Sequence, residues 1–110
     1  MIDISEANSI KDYMIEWTFH YVQSKDALKK SIVGVERNVR SLELYFKYKD
    51  KEQFYAVEPF IENCDTFLQK FENVRKELKD AYFFVIMLNS KDNLNIIFIN
   101  WKKLVSFGDK

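Results

Sequence analysis

The sequence predicts a single domain of the α+β class, a two-layer sandwich with two helices on one face of a mostly antiparallel sheet. Hydrophobic residues make up 47% of the 110 residues, which is enough for a core, and this length is typical of one domain spanning 1–110. Segments with strand and with helical periodicity follow one another along the chain. The predicted order is strand, helix, strand, strand, helix, strand, with an extra C-terminal strand, as in the split βαβ (ferredoxin-like) arrangement.

The first fifth of the chain allows two interpretations. In the window 15–22, large apolar side chains alternate with Glu16, Thr18 and His20, which is typical of a half-buried strand. The apolar positions of this strand are Ile15, Trp17, Phe19 and Tyr21. A competing helical register runs through Ile10, Met14, Trp17 and Tyr21. We favour the strand, because aromatic and β-branched residues dominate the window. The alternative fold has helical residues 8–39 followed by a hairpin, a helix and a hairpin.

Two helices are predicted. The first covers residues 24–40, with Ser24 as a favourable N-cap, Asp26 in the first turn and Arg40 at the negative end of the helix dipole. Its apolar residues at helical spacing are Leu28, Ile32, Val35 and Val39. The second begins near Pro59 and has about twenty residues, judged from its apolar spacing. The residues of that stripe are Phe60, Cys64, Phe67, Phe71, Val74 and Leu78.

Two hairpins are also predicted. In the first, residues 42–48 and 53–57 are strands on either side of a polar turn. In the second, the apolar runs 82–88 and 94–101 flank turn-forming residues at 89–93. The run 82–88 is apolar on both faces of its pleat, so both of its faces need to be covered.

From this last hairpin we expect the protein to form a homodimer. Two helices that lie on one face of a sheet cannot also cover the other face. The first dozen residues and the tail after Trp101 offer few large side chains for that purpose. We therefore expect a second copy of the chain to cover it. The expected interface residues are Phe83, Val85, Ile97, Ile99 and Trp101.

Charge and composition narrow the range of partners. The 17 basic and 17 acidic residues cancel, which removes the long-range attraction that nucleic acids or anionic membranes would exert. Lys47, Lys49 and Lys51 lie near tyrosines, but strand 53–57 lacks the glycine and aromatic pattern of an RNA-recognition domain. We expect no nucleic-acid partner and no membrane association. No secretory signal is evident, so we expect a cytoplasmic protein, and the lysine-rich composition is typical of an AT-rich microbial genome.

No catalytic residue, metal or cofactor is expected. His20 is the only histidine, and in a strand Glu16 would lie about 13 Å from it, too far to orient a base. Cys64 falls on the apolar side of the second helix, where a thiol is a core group rather than a nucleophile. The sequence has no cysteine–histidine spacing for zinc.

The favoured function is a non-catalytic protein-interaction module that self-associates. A small-ligand-binding regulatory domain is the first alternative, and a small enzyme that uses His20 is the second. The candidate face for a ligand or substrate combines side chains that carry hydroxyl groups with the single histidine. Its residues are Thr18, His20, Tyr45 and Tyr55.

Overall fold

The computed structural model of the chain describes residues 4–108, which form four helices and one four-stranded mixed sheet. The elements are α1 (Ile4–Lys25), β1 (Ile32–Val39), β2 (Leu42–Tyr48), β3 (Glu52–Val57), α2 (Asp65–Arg75), β4 (Tyr82–Ile86), α3 (Lys91–Ile99) and α4 (Trp101–Gly108). The predicted α+β class is confirmed, whereas the ferredoxin-like order is not. The predicted domain bounds stay a prediction, because residues 1–3 and 109–110 lie outside the described part.

The strands lie in the order β1, β2, β3, β4. The first three form an antiparallel meander, in which Tyr48 N donates to Lys51 O (2.8 Å) to close the predicted turn. β4 is parallel to β3, in a register that runs from Gln53 opposite Tyr82 to Val57 opposite Ile86. A parallel pair needs a crossover connection, and α2 lies within it. The first predicted hairpin is therefore confirmed, and the strand predicted at 82–88 forms as β4.

Helices lie on both faces of the sheet. On one face, α1 packs on a group of buried residues that we call the α1 cluster: Val22, Leu44, Phe46 and Tyr55. On the other face lies the α2 cluster: Leu42, Phe54, Ala56, Ile61, Cys64, Phe67, Leu68, Phe71 and Val74. α3 and α4 pack on this second cluster through Ile96, Ile97, Leu104 and Phe107. The sheet face for which the sequence predicts a second copy carries Phe83 and Val85. It is packed against α2, α3 and α4 of the same chain, and α1 covers the opposite face.

The strand predicted over 15–22 is wrong, because these residues belong to α1. Met14, Thr18 and Val22 are buried at intervals of four residues, while Trp17 and Tyr21 are 52% and 48% exposed. The alternation treats Thr18 as a solvent-facing position, yet its side chain lies against the sheet. The strand prediction places every aromatic residue of this window in the core, whereas in the helix some of them lie on the exposed side.

The helix predicted over 24–40 is also wrong, because its second half is strand β1. Asp26 does not begin a helix. Its carboxylate accepts hydrogen bonds from Ser31 N (3.1 Å), Ile32 N (2.8 Å) and the Ser31 hydroxyl, which fixes the turn that leads into β1. These bonds, with the Ser31 hydroxyl first, hold the pKa of Asp26 below its ordinary value. The β-branched residues Ile32 and Val35 then follow the strand preference of their side chains.

The second predicted helix is confirmed in a shorter form. Asn63 Oδ1 accepts a hydrogen bond from Asp65 N (2.9 Å), and Thr66 Oγ1 donates to Asn63 O (2.8 Å), so the regular helix begins at Asp65. Phe60 lies before this turn and is 40% exposed. Phe67 and Phe71 are buried as the spacing predicts.

The second strand of the last predicted hairpin is wrong, because residues 91–99 form α3. Ser90 is its N-cap and accepts a hydrogen bond from Asn93 N through its hydroxyl oxygen (3.2 Å). Asp92 supplies the negative charge that the first turn of a helix favours. A capping serine followed by an acidic residue signals the start of a helix. The aromatic and β-branched residues that follow favour a strand instead, and the prediction follows them.

The side chain of Asn93, which is 2% exposed, fixes α3 to the rest of the fold. Its Oδ1 accepts a hydrogen bond from Ile61 N (2.9 Å), and its Nδ2 donates to Pro59 O (2.7 Å) and Leu88 O (2.9 Å). One amide thus joins three segments through backbone groups that water does not readily reach.

We expect Asn93→Ala to lower the free energy of unfolding by about 2–4 kcal/mol, because it leaves these buried backbone groups without their partner. Chemical denaturation measures the change. Asn95→Ala is a matched control, because Asn95 is exposed on the same helix and gains the same helix propensity. Its effect should stay within about 0.5 kcal/mol. Equal losses in the two variants would contradict a special role for Asn93.

Candidate functional site

The outward side of α3 and α4 carries a stripe of exposed apolar side chains. Leu94, Phe98, Trp101 and Val105 recur at steps of four, three and four residues, and they are 50%, 82%, 60% and 42% exposed. Ile99, which is 79% exposed, lies beside the stripe. We call these five residues the outer face.

The two helices present the outer face as one surface, because helical hydrogen bonding continues across their junction. Asn100 N donates to Ile96 O (3.1 Å), and Leu104 N donates to Asn100 O (3.1 Å). The Asn100 side chain also donates to Ile96 O, at 2.8 Å. Asn100, with φ −97° and ψ 15°, departs from helical geometry, so α3 and α4 are two consecutive helices joined by these bonds.

The inward side of the same helices is anchored to α2. Arg75 Nη1 donates to Phe107 O (2.6 Å), and the guanidinium lies 3.7 Å from the centroid of the Phe107 ring. Lys103 Nζ forms a salt bridge with Asp65 (2.8 Å). Since the inward side is fixed in this way, the outer face cannot turn into the core without breaking these contacts.

The outer face is comparable in area to the largest apolar patch of a typical monomeric protein. Its side chains expose on the order of 500 Å² of apolar surface, since a large side chain has about 150–250 Å² to bury. Single exposed apolar residues are ordinary on protein surfaces, whereas a contiguous patch of several hundred Å² is typical of a site of interaction.

The expected interface residues divide between the outer face and the core. Phe83, Val85 and Ile97 are partly buried against the α2 cluster. Ile99 and Trp101 lie on the outer face. Sequence reasoning missed the other three members of this face, which are Leu94, Phe98 and Val105. Their spacing of four, three and four residues is the signal that could have found them.

The candidate ligand face is not assembled in the structure. Tyr45 packs against the α2 cluster and Tyr55 belongs to the α1 cluster, so their rings lie on opposite faces of the sheet. Thr18 is 1% exposed, and its hydroxyl oxygen has no hydrogen-bond partner among the described residues. His20 is on the exposed side of α1, where its ring packs edge-on to Phe19 at 5.4 Å between centroids.

The groups that could carry chemistry are dispersed. Cys64 is fully buried, and burial raises the pKa of its thiol, which opposes a nucleophilic role. Within residues 4–108 no three potential metal ligands come together. In the same range no helix is long and apolar enough to cross a bilayer.

A buried carboxylate that the sequence analysis did not detect lies at Glu43, which is 8% exposed. Its Oε1 accepts a hydrogen bond from Val57 N (2.6 Å), and its Oε2 lies 3.6 Å from Lys11 Nζ of α1. The neighbours Leu42 and Leu44 belong to the clusters on opposite sides of the sheet. β2 therefore changes face at Glu43, whose side chain links β2, β3 and α1.

A pocket of 480 Å³ lies between the end of α1 and the sheet, and we call it the α1 pocket. Aromatic side chains that line it are Tyr21, Tyr48, Tyr55 and Phe84. Lysines that line it are Lys25, Lys29 and Lys51. α1 packs mainly over β2 and β3, so the sheet surface towards β4 stays open at this point.

We expect Tyr45 and Tyr55 to lose their protons late in an alkaline titration. Burial raises the pKa of Tyr55 to about 12, and burial together with the Glu52 carboxylate raises the pKa of Tyr45 to about 12. In the unfolded chain the pKa of tyrosine is about 10. These two groups therefore contribute stability that is complete below about pH 10 and is lost as the pH rises through their pKa in the folded protein.

The ultraviolet absorbance of tyrosinate measures this titration. Tyr55→Phe should remove part of the late absorbance change, whereas the control Tyr13→Phe, at a residue that is 72% exposed, should leave the late change intact. A Tyr55→Phe protein with an unaltered late phase would show that Tyr55 is not protected by the fold.

Comparison with known proteins was made at the level of sequence family, of curated proteins and of solved structures. The chain matches no family model, no curated protein and no solved structure.

Proposed function

We propose that the protein is a non-catalytic interaction module of the cytoplasm that forms a homodimer through the outer face. The observation that carries the proposal is the stripe of exposed apolar side chains on α3 and α4, with Phe98 82% exposed at its centre. Leaving such a stripe in water costs free energy, which a specific contact would recover. The proposal does not depend on an uncovered sheet face, because α1 packs on one face of the sheet and α2, α3 and α4 pack on the other.

The spacing of the outer face suits a contact between two copies. When two identical helices pack antiparallel about a two-fold axis, every contact occurs twice. If residue i of one copy contacts residue j of the other, then residue j of the first copy contacts residue i of the second. An axis near Phe98 brings the two Phe98 rings together and sets Leu94 of one copy opposite Trp101 of the other.

Area and charge support the same arrangement. A stable interface buries about 800 Å² per partner, and the outer face of about 500 Å² with the aliphatic stems of its lysine neighbours approaches that value. The net charge of zero adds no long-range repulsion between copies. The single cysteine is a buried free thiol, which is in keeping with a reducing compartment such as the cytoplasm.

Sedimentation equilibrium of the wild type and Phe98→Lys tests the proposal. We expect the wild type to have the mass of a dimer at about 100 μM, which a dissociation constant in the micromolar range would give. Phe98→Lys should be a monomer with unchanged unfolding, because the side chain is exposed in the single chain.

Leu28→Lys is the matched control. Leu28 is 98% exposed in the turn after α1, far from the outer face in the fold, so this variant should remain a dimer. A wild type that is monomeric at millimolar concentration would refute the proposal. A Phe98→Lys protein that stays dimeric would place the contact elsewhere and refute the assignment of the outer face.

A further inference from the structure

We propose that the α1 pocket is a binding site for a small anion that carries a planar aromatic ring. The pocket has a volume of 480 Å³, within the range of about 300–1,000 Å³ that small-molecule sites occupy. It combines an aromatic wall with lysine side chains, and these two features recognise different parts of one ligand.

The aromatic wall is held in place by stacking. Tyr55 and Phe84 are stacked, with centroids 4.8 Å apart and planes at 17°. Tyr55 also packs edge-on to Phe46, at 5.5 Å, and its hydroxyl donates to Gln53 Oε1 (3.0 Å). Tyr55 is only 7% exposed, whereas Phe84 is 37% exposed and leaves part of its ring open to the pocket. A planar ring entering the pocket would therefore extend an existing stack, a favoured aromatic geometry.

Two of the lysines are positioned by rings that line the same pocket. Lys25 Nζ lies 5.3 Å from the centroid of Tyr21, and Lys51 Nζ lies 4.9 Å from that of Tyr48. Cation–π contacts of this kind restrict the side chains but leave the N–H groups able to donate hydrogen bonds to an anion. No salt bridge in the described part of the chain involves Lys25, Lys29 or Lys51. The charges of Lys25 and Lys51 are thus available to a ligand, whereas Lys29 interacts electrostatically with Asp26.

The negative groups of the pocket oppose an anion only weakly. The Asp26 carboxylate already accepts hydrogen bonds from Ser31 and Ile32, so its charge is largely satisfied within the protein. Asp50 is exposed in the turn after β2, where water and salt screen its charge.

Tyr48 adds a donor for the anion. Its hydroxyl makes no hydrogen bond with the described residues, and burial raises its pKa, which keeps it protonated at neutral pH. A neutral hydroxyl that lines the same pocket as the lysines can donate to a carboxylate or a phosphate.

Two sources share this ligand chemistry, a nucleoside monophosphate and an aromatic carboxylate. Isothermal titration calorimetry with adenosine monophosphate and with anthranilate distinguishes them, and adenosine and inorganic phosphate serve as probes that carry only the ring or only the charge. We expect one of the two aromatic anions to bind with a dissociation constant below about 1 mM. Adenosine and phosphate should each bind at least about tenfold more weakly, because each lacks one half of the recognition.

The double variant Lys25→Gln, Lys51→Gln should weaken binding of that anion by about tenfold, because it removes two charges at exposed positions without altering the aromatic wall. Lys79→Gln is the control, since it removes a lysine of the same exposure that does not line the α1 pocket. Phe98→Lys should also bind normally, because the outer face and the pocket belong to opposite sides of the sheet.

Three results would each overturn the proposal. The first is that neither aromatic anion binds below about 1 mM. The second is that adenosine or phosphate binds as tightly as the aromatic anions. The third is that the double lysine variant binds as the wild type does.

Discussion

The amide of Asn93 is the contact on which the C-terminal third of the fold depends. It hydrogen-bonds to Pro59, Ile61 and Leu88, which belong to the segment before α2 and to the segment after β4. Because these partners are backbone groups, the amide fixes where the chain runs as well as which side chains touch. Asn93 lies in the first turn of α3, and hydrogen bonds at Asn100 join α3 to α4. The two helices together determine where the outer face lies. The position of an exposed apolar surface thus depends on a buried polar group.

The parts of the fold that the sequence predicts correctly are those in which local pattern and final environment agree. Residues 42–48 and 53–57 form β2 and β3 on either side of the predicted turn. In α2 the stripe that includes Phe67 and Phe71 is also the stripe that the core buries. Run 82–88 forms strand β4, which packs on the α2 cluster through Phe83 and Val85. It is nevertheless an edge strand, and on its other face Tyr82 and Phe84 are 54% and 37% exposed.

The errors occur where the sequence fits both a helix and a strand, and tertiary contacts decide between them. Residues 15–22 carry aromatic side chains at alternate positions, but burial of Thr18 and exposure of Trp17 follow a helix. Residues 94–101 are rich in isoleucine, yet the Ser90 cap and the Asn93 amide make them helical. Of the candidate interface residues, Ile99 and Trp101 are exposed on the outer face, whereas Phe83, Val85 and Ile97 pack against the α2 cluster. The sequence does not predict the α1 pocket, because its walls come from four separate elements.

Strand β1 has a consequence for how far self-association can proceed. It is an outer strand of the sheet, where unpaired backbone groups could recruit a strand from another molecule. Its register shifts between Ile32 and Gly34, Asn38 adopts a positive φ of 56°, and Arg37 points its charge outward to Glu16 of α1. Such an edge is a poor template for a further strand. Growth into open fibrils is therefore disfavoured at this edge, and the proposed dimer uses helical side chains instead of strand pairing there.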